Sequence, residues 1–180
     1  RPHQGYLERR QAKVDAAGAG LMVEEGILCG VGETLSDIAE SIAEMGALGA
    51  DQVRVMSFVP QPGTPLAGRP APDALRELLI IAVMRLAFPD RLIPASLDVE
   101  GLDGLRSRMD AGANVVTSLI APNAGLTGVA SLTRDIDASR RMPAAVNSVL
   151  ARCGLTTAGR DDYRTWMRER RRAGASAKNR

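Results

Sequence analysis

Residues 21–47, LMVEEGILCGVGETLSDIAESIAEMGA, contain the strand-turn-helix pattern on which the fold prediction depends. The apolar run at the start of this stretch predicts a buried strand, and the glycines within 30–32 predict a tight turn. Thr34 and Asp37 have the spacing of a helix capping box. Apolar residues then recur at helical spacing as far as Gly46, so the stretch predicts one β/α unit.

Similar units follow it along the chain, and a charged, alanine-rich helix over 6–17 precedes it. We predict further strands over 51–59, 91–97 and 114–120. A second helix is predicted to place one face on the core, formed by Leu75, Leu78, Leu79, Ala82 and Leu86. A third, marked by Leu102, Leu105 and Met109, is predicted to end at Gly112. Strands and helices that alternate with short connections indicate parallel β/α units with right-handed crossovers.

The number of predicted β/α units limits the possible architectures. Three such units cannot close an eight-stranded barrel, so the chain is either a small open α/β domain or the trailing part of a barrel. The opening helix, which has no strand or Met before it, favours a piece of a longer protein. We therefore predict the C-terminal half of a TIM-type (β/α) barrel, with parallel strands and outer helices, over 1–121. A C-terminal helical extension is predicted over 122–180, with helices near 143–153 and 160–172.

Composition excludes several classes of protein. The 180 residues are 45% apolar and carry a net charge of only +2, which argues against nucleic-acid binding. Cys29 and Cys153 are far apart, so neither a disulfide framework nor a zinc site is indicated. No apolar run reaches the roughly 20 residues that span a bilayer, and the N-terminus has no signal-peptide pattern, which predicts a cytoplasmic protein. The single histidine, His3, makes a catalytic triad implausible.

Candidate binding residues occur near the predicted strand ends, where β/α barrels place their sites. Arg54 lies within an apolar strand, and its charge requires either an anionic ligand or an internal salt bridge. Ser96 and Asp98 are two residues apart and suit an ammonium group, unless they only cap the next helix. A fixed cation and a fixed anion would together hold a zwitterionic amino acid. The glycine-rich turn at 26–33 either lets a ligand approach the backbone or serves only as a turn.

Four segments of the chain resemble the methylornithine synthases. These are radical S-adenosylmethionine enzymes of pyrrolysine biosynthesis, related to biotin synthase and the hydrogenase maturase. The resemblance implies a β/α barrel, S-adenosylmethionine and a [4Fe-4S] cluster as cofactors, L-lysine as substrate, 3-methylornithine as product and a reductant protein for the cluster. The segments that carry it are 24–32, 53–66, 91–101 and 111–118.

The resemblance also implies roles for individual residues. The substrate carboxylate would meet Arg54, and the amino end of the substrate would meet Ser96 and Asp98. Arg9 matches an arginine that contacts the carboxylate of S-adenosylmethionine. Ile27 and Val59 match apolar positions on either side of its adenine, with ordinary core packing as the alternative.

One feature of the family is missing from these 180 residues. The C-x-x-x-C-x-x-C motif that holds the cluster is absent, and Cys29 and Cys153 do not replace it. We therefore predict no catalytic and no metal-binding residue in this chain, and expect it to be inactive without a longer parent or a complementing chain. Two alternatives are another radical enzyme of the same group that acts on a different amino acid, and a non-catalytic amino-acid-binding module.

Overall fold

The computed structural model of the protein describes residues 5–121 and 138–177, with the backbone alone at 138, 139 and 173–177. His3 and the first part of the predicted extension, 122–137, lie outside the described residues. The elements in chain order are α1 Tyr6–Gly18, β1 Glu24–Cys29, α2 Leu35–Ala47, β2 Gln52–Ser57, α3 Ala74–Ala87, β3 Pro94–Ser96, α4 Leu105–Asp110, β4 Val115–Thr117, a 3-10 turn Ala138–Arg141, α5 Pro143–Arg152 and α6 Arg160–Ala177.

The strands form two parallel pairs. β1 pairs with β2, and β3 pairs with β4. A parallel bridge between Gln52 and Leu92 links the start of β2 to the segment that leads into β3. The predicted α/β fold with parallel strands is thus confirmed.

β3 and β4 are each shorter than predicted. The last bond between them runs from the Leu97 amide to the Thr117 carbonyl, at 3.3 Å. Pairing stops there because the Asp98 amide turns to the Ser96 hydroxyl, and because Ser118 adopts a φ of 64°. A strand needs extended backbone, so a left-handed residue ends it.

Within residues 5–121 and 138–177, helices cover one face of the strands and leave the other open. Val53 and Val55 of β2 are buried in the core beneath α2 and α3, whereas Arg54 between them points to the opposite, less buried face. The Gln52–Leu92 bridge fixes the alternation of the next strand, which places Ser96 on the same open face as Arg54.

The predicted core face of α3 is wrong. Three of the leucines assigned to it, Leu75, Leu79 and Leu86, are more than half exposed. The helix is apolar around most of its circumference, so its periodicity alone does not identify the buried side. The buried side of α3 consists of Glu77, Ile80, Ile81 and Met84. This side is fixed by Glu77, whose carboxylate pairs with Arg108 from α4.

The start of α2 matches the prediction. The Thr34 hydroxyl accepts a hydrogen bond from the Asp37 amide at 3.2 Å, and the Asp37 carboxylate accepts one from the Thr34 amide at 2.7 Å. The bonds from the Thr34 amide and hydroxyl lower the pKa of Asp37. This capping box fixes where α2 begins, immediately after the turn that follows β1.

Helix α6 packs at the N-terminal ends of the strands. The Trp166 indole donates to the Asp90 carbonyl at 2.9 Å, and Arg170 pairs with the carboxylates of Asp51, at 3.1 Å, and Asp90, at 3.0 Å. Asp51 directly precedes β2, and Asp90 lies just before β3. None of the helices within the described residues has the length and apolarity needed to cross a bilayer.

Candidate functional site

Four polar side chains meet at the C-terminal ends of β3 and β4. One oxygen of the Asp98 carboxylate, Oδ2, accepts hydrogen bonds from the hydroxyls of Ser96, at 3.2 Å, and Ser118, at 2.5 Å. The other, Oδ1, accepts one from Arg141 Nη2 at 2.7 Å. The structure therefore brings the predicted pair Ser96 and Asp98 together, and adds Ser118 and Arg141 to them.

Arg141 is the buried member of this cluster. Its residue surface is only 1% exposed, and its Nε and Nη2 both donate to the Ser118 carbonyl, at 2.9 and 2.6 Å. Ser118 holds a φ of 64°, a conformation that costs free energy for any residue with a side chain. The Asp98 side chain stays 24% exposed, so a fixed carboxylate faces the open side of the strands.

Sequence reasoning missed Ser118 and Arg141 for different reasons. Ser118 lies in the predicted strand 114–120, and its position at the end of a parallel strand next to β3 was a usable signal. Arg141 lies 43 residues after Asp98, just before α5, and nothing in its local sequence distinguishes it from the adjacent Arg140.

Arg54 lies on the same face and has an acidic neighbour. Its Nε is 2.6 Å from Glu24 Oε1, although the two groups are not aligned as a hydrogen bond. The side chains of Arg54 and Glu24 are 26% and 45% exposed. An ion pair this accessible contributes little stability, and an anionic ligand can compete for the guanidinium. The internal salt bridge that sequence reasoning left open is therefore present, in a form that a ligand can displace.

The glycine-rich turn after β1 closes on its own side chain. The Glu33 carboxylate accepts hydrogen bonds from the amides of Gly30, Val31 and Gly32 at 2.8–3.1 Å and pairs with Arg76 at 3.1 Å. Burial alone would raise the pKa of Glu33, but hydrogen bonds from the backbone amides of 30–33 outweigh burial and lower it. The backbone donors that could have met a ligand are thus used by Glu33. Beside the turn lies a cleft of about 710 Å³, bordered by the loop that contains Arg69.

Replacing Glu33 with glutamine is expected to lower the free energy of unfolding by about 1–3 kcal/mol near pH 7, because three amides lose a charged acceptor. The carboxylate has a lowered pKa in the folded state, so its stabilising effect is complete above its ordinary pKa of 4.5 and is lost as the pH falls below that value. Urea unfolding of both proteins from about pH 7 to about pH 3.5 measures this difference. Glu40→Gln, on the exposed side of α2, is the control, and an equal loss in both variants would contradict the prediction.

The residues predicted to bind a cofactor lie in three settings. Arg9 is exposed on α1 and borders a cleft of about 770 Å³ between α1 and the start of β1. Ile27 pairs with Val55 in the β1–β2 ladder and packs against the core. Val59 is half-buried just after β2.

A buried polar network lies between the strand ends and helices α3 and α4. The Ser57 hydroxyl donates to the Glu77 carboxylate, and Arg108 donates to Glu77 at 2.7 Å and to Glu100 at 2.9 Å. Burial alone would lower the pKa of Arg108, but the two carboxylates outweigh it and raise the pKa. Glu100 follows Asp98 by two residues, so the network anchors the loop that leads away from the candidate site.

The cysteines do not form a metal site within the described residues. Burial raises the pKa of the Cys29 thiol, which favours its neutral form, and its sulfur lies 3.8 Å from the Ser57 hydroxyl. Both Cys29 and Cys153 are free thiols. No cluster of three or more histidine, cysteine or acidic side chains in the part that the structure describes is placed to hold a metal ion.

The sequence of the chain is similar to those of known enzymes. No family model matches the chain. It is 44% identical over 160 residues to 3-methylornithine synthase from Methanosarcina barkeri and 41% identical over 165 residues to that from Methanosarcina acetivorans, alignments that cover 89% and 92% of this chain. Biotin synthase from Parafrankia is 36% identical over 110 residues, which are 56% of this chain and 30% of that protein.

A solved structure shows the same relationship. A crystal structure of methylornithine synthase superposes with a TM-score of 0.85 and 43% identity, covering 91% of this chain and 49% of that one. The curated methylornithine synthases are matched over 46% and 47% of their own length, so this chain spans about half of each. The predicted resemblance is confirmed.

Proposed function

On this similarity to methylornithine synthases we propose that the chain is the C-terminal half of a radical S-adenosylmethionine enzyme that converts L-lysine into 3-methylornithine in pyrrolysine biosynthesis. Residues 1–121 would form part of a TIM-type barrel, and 122–180 an extension whose described helices are α5 and α6. Parallel strands in chain order, linked by the Gln52–Leu92 bridge and covered by helices on one face, support this architecture.

One observation carries the proposal of an amino-acid substrate: a cation and an anion occupy the same open face. Arg54 offers a guanidinium on a side chain that is 26% exposed, which suits a carboxylate. Asp98 offers a carboxylate flanked by Ser96, which suits an ammonium group. We propose that Arg54 binds the substrate carboxylate, and that Ser96 and Asp98 bind its amino end.

The cluster does not fit this chain. Three thiolates cannot come from a sequence with two cysteines, and Cys29 is a buried, neutral thiol. We propose that the ligands of the [4Fe-4S] cluster, and the contact with its reductant protein, belong to the part of the enzyme that these 180 residues do not include. On this proposal the chain is inactive on its own. Its two free thiols fit a reducing cytoplasm, where thiols are not oxidised to disulfides.

S-adenosylmethionine fits the residues present only in part. Bound at a reduced cluster, it would supply the radical that takes hydrogen from the substrate. Exposed Arg9 suits its carboxylate, and half-buried Val59 suits the face of its adenine. Ile27 packs against the core, which leaves little of its side chain for the adenine. These three assignments are proposals that depend on the resemblance.

The function is tested by lysine binding to the 180-residue chain, measured by titration calorimetry. We expect wild-type protein to bind lysine, and Arg54→Met and Asp98→Asn each to weaken binding at least tenfold, because each loses one charge-assisted contact of about 1.5–3 kcal/mol. Arg164→Met, on the exposed side of α6, is expected to bind like the wild type. Unchanged binding in the Arg54 and Asp98 variants would refute the site.

Inactivity of the chain alone has its own test. After anaerobic treatment with iron and sulfide, we expect no 5'-deoxyadenosine from S-adenosylmethionine and a reductant. Its appearance would refute the proposal that the cluster ligands lie elsewhere.

A non-catalytic amino-acid-binding module remains the second candidate, favoured by the two-cysteine composition. This candidate is favoured if the chain binds lysine but yields no 5'-deoxyadenosine when a second protein that carries the cluster-binding half of the enzyme is added. A third alternative is another radical enzyme of this group with a different amino-acid substrate, which deoxyadenosine without a lysine isomer would favour.

A further inference from the structure

We propose that Arg141 and Ser118 are positioning residues of the amino-acid site, which hold Asp98 in the one orientation that receives an ammonium group. The inference deepens the proposed function and rests on it. Neither residue was among those that the sequence resemblance implied. Both act through Asp98, whose carboxylate is the group that faces the open side of the strands.

Arg141 connects two separate parts of the site. Its guanidinium contacts Asp98 Oδ1 at 2.7 Å and the Ser118 carbonyl at 2.6 and 2.9 Å. The loop after β3 and the residue after β4 are therefore tied to one buried side chain. A single guanidinium can do this because its planar donors have a fixed geometry, whereas a lysine ammonium offers no such fork.

Ser118 completes the arrangement from the other side of the carboxylate. Its hydroxyl donates to Asp98 Oδ2 at 2.5 Å and lies 3.2 Å from the Ser96 hydroxyl. This contact depends on the positive φ of Ser118, which the two bonds from Arg141 to its carbonyl help to maintain. Strained backbone that is held in this way is characteristic of sites where a group must be placed accurately.

The arrangement has a chemical consequence. Asp98 and Arg141 together carry no net charge, so the attraction of the site for an ammonium group depends more on directed hydrogen-bond acceptors than on net charge. Loss of Arg141 has opposite effects under two explanations. If Arg141 only neutralises Asp98, its removal strengthens ammonium binding; if Arg141 positions Asp98, its removal weakens it.

The test compares lysine with hexanoate, which has the same carbon chain and carboxylate but no ammonium group. Calorimetric titrations of the full 180-residue chain would measure dissociation constants for the wild type, Arg141→Met, Arg141→Lys and Ser118→Gly. We expect Arg141→Met to weaken lysine binding at least tenfold and hexanoate binding less than twofold. Arg141→Lys is expected to fall between wild type and Arg141→Met, since one ammonium cannot reproduce both contacts.

Two further variants separate positioning from general damage. Ser118→Gly keeps the positive φ without strain but removes the hydroxyl, and we expect a smaller loss, specific to lysine. Arg152→Met, on the exposed end of α5, removes an equal charge away from Asp98 and is expected to bind both ligands like the wild type. Tighter or unchanged lysine binding in Arg141→Met, or an equal loss for both ligands, would overturn the inference.

Failure of the proposed substrate is distinguishable from failure of this inference. If the wild type does not bind lysine, the substrate proposal is wrong, and hydrogen exchange without ligand tests the positioning role. The Asp98 amide donates to the Ser96 hydroxyl at 3.2 Å. At least tenfold faster exchange there in Arg141→Met, with unchanged exchange in β1 and β2, supports positioning, and unchanged exchange at Asp98 overturns it.

Discussion

Replacing Arg108 with methionine is expected to lower the free energy of unfolding by about 3–5 kcal/mol, because the buried carboxylate of Glu77 loses its cationic partner. Arg108 and Glu77 are each 3% exposed, so water cannot replace the lost interaction without opening the core. Glu100 is affected less, since its side chain is 31% exposed and can be hydrated. Urea unfolding near pH 7, followed by circular dichroism, measures the loss.

Two companion variants identify the cause of this loss. Arg106→Met removes an exposed partner of Asp110 from the same helix, and it is expected to change stability by no more than about 0.5 kcal/mol. Adding Glu77→Gln to Arg108→Met removes the unpaired charge and keeps an acceptor for the Ser57 hydroxyl, so the double variant is expected to be more stable than Arg108→Met alone. A loss below about 1 kcal/mol in Arg108→Met would show that Glu77 does not depend on it.

The second large effect is expected at Gly30, where alanine should cost about 2–5 kcal/mol. Two separate penalties combine there. The residue has a φ of 95°, which costs a residue with a side chain about 1–2 kcal/mol. An added Cβ would also lie 2.8 Å from two ring carbons of Pro72, and such overpacking costs about 1–3 kcal/mol.

Gly49→Ala separates the two penalties at Gly30. Gly49 also has a positive φ, 64°, but no atom outside its chain neighbours lies within 4 Å of an added Cβ. We expect this variant to show the backbone penalty alone, about 1–2 kcal/mol, in the same urea unfolding experiment. Equal losses at Gly30 and Gly49 would mean that the turn moves away from Pro72 at no cost.

Local patterns in the sequence predicted the elements that depend on neighbouring residues. The capping box at Thr34 and Asp37 marks the start of α2 because both partners lie within one helical turn. The alternation of strands and helices predicted parallel strands, because short connections between them allow only a few chain topologies. Ser96 and Asp98 could be paired from sequence because two residues along a strand end share one side.

Contacts between distant residues explain what the sequence did not predict. The buried side of α3 depends on Glu77 meeting Arg108, 31 residues later, and an almost uniformly apolar helix contains no other signal. Arg141 reaches Asp98 from 43 residues away. In both cases the fold pairs a buried arginine with a carboxylate from a distant part of the chain. Residue type alone predicts that arginines are exposed.

The ion pairs between Arg170 of α6 and the residues that precede β2 and β3 have a consequence for biosynthesis. Arg170 follows its partner Asp51 by 119 residues, so β2 leaves the ribosome well before the helix that holds its first end. At about 5–20 residues per second, this interval lasts roughly ten seconds. Throughout that time the nascent strands lack this packing partner, and we expect this stage of translation, rather than the finished fold, to require chaperone protection.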